Sequence, residues 1–105
     1  MMLKQSAKIE GLQPEILLAL IIANDVYHMH GSRLVMTEGT GGQHMIGSRH
    51  GQGQAVDLRT SNLNESDKSV IVAELKANLG LEYDVIFEGA GTPNEHYHIE
   101  FDPKD

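Results

Sequence analysis

The chain has 105 residues, with 15 acidic against 8 basic side chains, a net charge of −7 and no cysteine. That length implies one domain with a modest core, which buries roughly 65% of the unfolded surface. The acidic balance argues against nucleic acid or an anionic membrane as partner, and the absence of cysteine excludes disulfides and thiolate metal sites.

In chain order, the N-terminus shows no apolar core followed by a small-residue cleavage site, so no signal peptide is expected. The longest apolar run, ILLALIIA at 16–23, is far short of the roughly 20 residues that span a bilayer. Residues 14–29 are predicted as a helix, with Pro14 at the first helical position, Glu15 in the first turn and Gly31 as the stop. Its apolar residues occur on most sides, which predicts burial. His28 and His30 stand two apart, so they do not share a helix face, and their expected role is favourable charge at the helix C-terminus.

Residues 33–38 are predicted as a strand, and the glycine-rich stretch after them as a loop. Residues 55–59, AVDLR, form a second predicted strand. A second helix comes next: Ser66 is a candidate cap, Val70, Ile71, Leu75 and Leu79 recur at helical spacing, and Gly80 ends it. Residues 83–88 and 96–102 are predicted as two more strands. The expected fold class is α+β, a small antiparallel sheet of about four strands with two main helices packed on one face and a zinc site on the other.

The last strand alternates cleanly. Tyr97, Ile99 and Phe101 point one way, and His96, His98, Glu100 and Asp102 the other. In AVDL, Val56 and Leu58 take the core face and Ala55 and Asp57 the opposite one. If these two strands are neighbours, Asp57 and His98 converge. A zinc ion accepts imidazole nitrogen and carboxylate oxygen, and a catalytic zinc has three protein ligands. His50, Asp57 and His98 satisfy that count. Gly51 and Gly53 permit the loop that folds His50 back toward Asp57. Glu95, at the junction of loop and strand, is the candidate general base and acid, taking a proton from the attacking water and delivering it to a leaving amine.

SRHGQGQAVD, residues 48–57, matches a Ser-x-His-x-x-Gly-x-Ala-x-Asp motif, and EHYH, residues 95–98, a later Glu-x-x-His motif. On these motifs the chain resembles the D-alanyl-D-alanine carboxypeptidase-like zinc peptidases, in the wider group of lysostaphin-type peptidases and the hedgehog signalling domain. The resemblance covers roughly the second half of the chain. It implies zinc held by His50, Asp57 and His98, catalysis by Glu95, and hydrolysis of an amide bond in peptidoglycan stem peptides, of D-Ala-D-Ala carboxypeptidase or L-Ala-D-Glu endopeptidase type. It implies support of the loop or the substrate by Ser48, and a site shaped by Gly53 and Ala55. Lysostaphin-type relatives use the first histidine of a His-x-His pair, a place that His96 fills here. The arginine that many members carry before the first ligand is absent from VMTEGTGG, and Gln43, His44 and Arg49 are the candidates to replace it. The absence of a signal peptide suits a phage or prophage lysis enzyme, made in the cytoplasm and acting on the wall after release, or as a virion component. The alternative is a non-catalytic zinc module of the same fold that binds cell wall or a protein partner.

Overall fold

The structure is a computed structural model that describes residues 1–4, 7–40, 50 and 52–103. The elements run β1 (Met2–Leu3), α1 (Pro14–Met29), β2 (Val35–Glu38), β3 (Ala55–Arg59), α2 (Glu65–Leu79), β4 (Tyr83–Glu88) and β5 (His96–Phe101). They form an α+β fold. The sheet has five strands in the order β1-β2-β3-β5-β4. Strands β2, β3, β5 and β4 pair antiparallel in that order, and β1 adds a parallel pairing with β2. This two-residue edge strand was not expected, because two residues carry no periodicity to read. Among the described residues no helix is long and apolar enough to cross a membrane.

Alternation sorts the two sheet faces. Val56, Leu58, Tyr97 and Ile99 are fully buried and join Ile16, Leu20, Tyr27, Ile71 and Leu75 of the helices in one core. The Tyr97 hydroxyl donates to the Lys68 carbonyl at 2.6 Å and the Tyr27 hydroxyl to the Arg59 carbonyl at 2.7 Å, so each buried phenol ties a helix to the sheet without an orphaned polar atom. The helix α1 spans its predicted residues, but it is not buried all round. Leu17, Leu18 and Ile21 are 45%, 52% and 60% exposed, because the sheet and α2 cover only one side of it. The α2 cap is Asn64, not Ser66, and the acids Glu65 and Asp67 occupy the first turn, where the helix dipole favours them. Strands β2 and β5 are shorter than predicted, β2 starting at Val35 and β5 ending at Phe101.

A backbone clamp closes the loop that carries His50, whose two ends lie against the segment before α1. Thr40 N–H donates to the Lys8 carbonyl at 3.1 Å and the Thr40 hydroxyl to the Glu10 carbonyl at 2.6 Å. Gln13 N–H donates to the Gly53 carbonyl at 2.8 Å. The approach is close enough to require glycine. A Cβ at Gly39 would stand 2.1 Å from the Lys8 oxygen, and one at Gly53 2.0 Å from the Gly11 oxygen. Gly53 also has φ +75°, a region other residues enter only with strain.

Gly53→Ala is therefore expected to lower the unfolding free energy in urea by more than Gly31→Ala. Gly31, at φ +72°, has open space where its Cβ would go, so it carries only the strain of about 1–2 kcal/mol. Equal losses in the two variants would remove the clamp from the account.

Candidate metal centre

β3 and β5 pair antiparallel with Asp57 directly opposite His98. Both side chains stand on the face away from the helices. The chain reaches them a third time through His50, in the loop clamped at Gly39 and Gly53. His50 Nε2 lies 3.2 Å from His98 Nδ1 and 3.2 Å from Asp57 Oδ1, and His98 Nδ1 lies 3.0 Å from Asp57 Oδ1. Nitrogen and oxygen ligands of one tetrahedral ion stand roughly 3.3–3.6 Å apart, from bond lengths of about 2.0–2.2 Å. The observed triangle is within a few tenths of an Å of that. His50 and Asp57 are only 7% and 8% exposed. These three residues could hold a metal ion.

The outer nitrogens are also committed. His50 Nδ1 lies 3.1 Å from the Gly39 carbonyl, which can only accept, so Nδ1 carries the proton and Nε2 faces the centre. His98 Nε2 donates to Glu100 at 3.1 Å, leaving Nδ1 for the centre. Metal-ligating histidines are oriented in this way, by an acceptor behind each ring. The hydrogen bond that His98 gives to Asp57, with the one it gives to Glu100, lifts His98 to about 9. Burial alone would lower His50, but the Asp57 hydrogen bond and charge carry it above its ordinary value. Burial opposes ionisation of Asp57, yet the hydrogen bonds from His50 and His98 hold its carboxyl well below the usual range.

His96 shares this face. Its Nδ1–H donates to the Asn94 carbonyl at 2.7 Å, and its Nε2 stands 3.8 Å from Asp57 Oδ1 and 3.5 Å from Glu88 Oε1. The Glu95 carboxylate has three donors of its own. It accepts from Gly91 N–H at 2.9 Å, from the Thr60 hydroxyl at 2.5 Å and from Lys68 Nζ at 2.7 Å. These donors, the Gly91 amide first, push its carboxyl down to about 2. None of the three is a histidine. Glu95 and His96 nonetheless line the same cleft of about 710 Å³ as Asp57 and Arg59.

Gln43, His44, Ser48 and Arg49, with Gly51, lie outside the described residues. His30, at the C-terminal end of α1, joins the two helices: its Nε2 meets Glu74 Oε1 of α2 at 2.9 Å. Sequence reasoning missed the roles of Glu100, the Gly39 carbonyl and the Lys68–Thr60 pair. Only Glu100 left a signal, as the next residue on the histidine face of β5. The other partners are brought in by packing.

Two outcomes test the centre. A metal ligand must lose its proton, so affinity falls as pH drops. Since His98 keeps its proton up to about 9, affinity for a divalent metal should keep rising between pH 7 and 9 by about tenfold per unit, whereas ordinary histidines would level off near pH 7.5. Competition against a chromogenic chelator across that range reads the slope, and a flat profile overturns the ligand role of His98. Glu100→Gln is expected to weaken the metal about 10–100-fold in the same assay with the fold unchanged by circular dichroism.

Comparison of the chain with protein-family models, with curated proteins and with solved structures gives no match.

Proposed function

We propose that this chain is a zinc-dependent peptidase of the bacterial cell wall, hydrolysing an amide bond in the peptidoglycan stem peptide. The observation that carries the reading is the convergence of His50 Nε2, Asp57 Oδ1 and His98 Nδ1, all three from motif positions, with an acceptor behind each imidazole. Two imidazoles and one carboxylate make a donor set suited to zinc, and a cleft reaches Asp57 from one side. Zinc bound there would supply a Lewis acid and make water acidic near neutral pH. The setting that fits is a lysis enzyme of phage or prophage type, reaching the wall after release or as part of a virion.

The chain's own residues divide the remaining work. His50, Asp57 and His98 would hold the ion, and Gly39 and Glu100 keep the rings aimed. The proton of the attacking water goes to His96 Nε2, because Asn94 occupies the other ring nitrogen, and His96 then passes it to the leaving amine. The motif gives that role to Glu95, but the Gly91 amide, Lys68 and the Thr60 hydroxyl hold its carboxyl down to about 2, which makes it a weak base. Glu95 instead holds the turn over 89–95 against Thr60 and Lys68, which sets the position of His96.

Purified peptidoglycan incubated with zinc-loaded protein should yield new peptide termini, identified by mass spectrometry. His96→Gln should slow release about 10²–10⁴-fold while keeping stoichiometric zinc. If Glu95→Gln stops release with fold and zinc intact, and His96→Gln does not, the base is Glu95. No release from any wall type by the zinc-loaded wild type would remove the peptidase and favour a module that binds wall or protein.

A further inference from the structure

Three cations line the cleft beside the metal centre: Lys4, Arg59 and Lys68. Lys68 is matched, with Glu65 and Glu95 oxygens each 2.7 Å from Nζ. Arg59 is not. Among the described residues its guanidinium forms no ion pair and no side-chain hydrogen bond. This is not for want of carboxylates, since acidic residues outnumber basic ones 15 to 8 and Glu38, Asp57 and Glu95 line the same cleft.

The position is rigid. Arg59 pairs with His96 across the β3–β5 ladder, and its carbonyl accepts from the buried Tyr27 hydroxyl at 2.7 Å. It shares a face with Asp57, two residues further along the strand, so about 7 Å from it. Successive Cα atoms of a peptide are about 3.8 Å apart. A group one or two peptide units from a bond held at the metal centre therefore falls within reach of the guanidinium. A planar fork with a fixed base and no internal partner suits a ligand's carboxylate, which it takes through two parallel N–H···O bonds.

We propose that Arg59 binds a free carboxylate on the residue adjoining the amide cleaved at this site, so that the cleft selects substrates in which that carboxylate is unmodified. The identity of the bond rests on the peptidase reading. The anion site rests on the cleft and the unpaired fork.

The test uses zinc-loaded protein with two probes, N-acetyl-D-alanine and its C-terminal amide. Binding is followed by NMR of the arginine Nε–Hε groups. The acid should shift the Arg59 signal and bind about tenfold more tightly than the amide. Arg59→Gln should weaken the acid to the level of the amide and leave the amide unchanged, with Arg59→Lys in between. Equal binding of the two probes by the wild type, equal weakening of both by Arg59→Gln, or no binding of either overturns the proposal. Peptidoglycan release, scored on the same samples, separates the two claims. Acid selectivity without release keeps Arg59 as an anion anchor and removes the peptidase. Release without acid selectivity does the reverse.

Discussion

The pairing of β3 with β5 is the constraint on which the rest depends. With Asp57 opposite His98, Val56 falls opposite Ile99 and Leu58 opposite Tyr97, so one register builds both the core face and the metal face. A slip of one residue by either strand would turn its own ligand, Asp57 or His98, toward the helices and expose its own core residue, Leu58 or Tyr97. Burial of the apolar set thus enforces the position of the polar set. The carboxylate and imidazole need no separate device to hold them together, because the hydrophobic core rejects the registers that would part them.

His50 is held by different means. It belongs to no strand, and its loop begins and ends against the segment that leads into α1. Gly39 and Gly53 let two backbones touch there, which a side chain at either position would prevent. The Gly39 carbonyl that this contact fixes is also the acceptor behind His50 Nδ1. One local packing arrangement therefore sets both the position of the ring and its tautomer. The ordering that strands provide for Asp57 and His98 is supplied for His50 by close backbone contact.

Charge obeys the same division. Asp57 and Glu100 on the metal face are met by His98, and Glu95 beside it by Lys68, each at hydrogen-bonding distance. Glu95 lies just before β5, in the turn that leads into it, so strand alternation does not place its side chain. Its carboxylate is held by Thr60, Lys68 and the Gly91 amide. His96, an even step from His98, shares its face. Arg59, likewise two residues from Asp57, lies on the metal face, with no partner for its guanidinium among the described residues.

The α+β class, both helices and the two faces of β5 were legible in the sequence, because helical and strand periods are local properties that short windows carry. The grouping of His50, Asp57 and His98 was legible too, through residue type, glycine placement and motif. The parallel β1 edge was not, nor the exposed stripe of α1 at Leu17, Leu18 and Ile21, the Gly39 carbonyl behind His50, or the binding of Glu95 by Lys68. Each depends on which segments meet across long separations in the chain, as with Met2 and Val35 or Thr60 and Glu95. The sequence by itself determined which residue types lie on which face of each element. Only tertiary structure decided which faces and loops come together, because that choice is made by the joint burial of side chains from all the elements, which no single stretch contains.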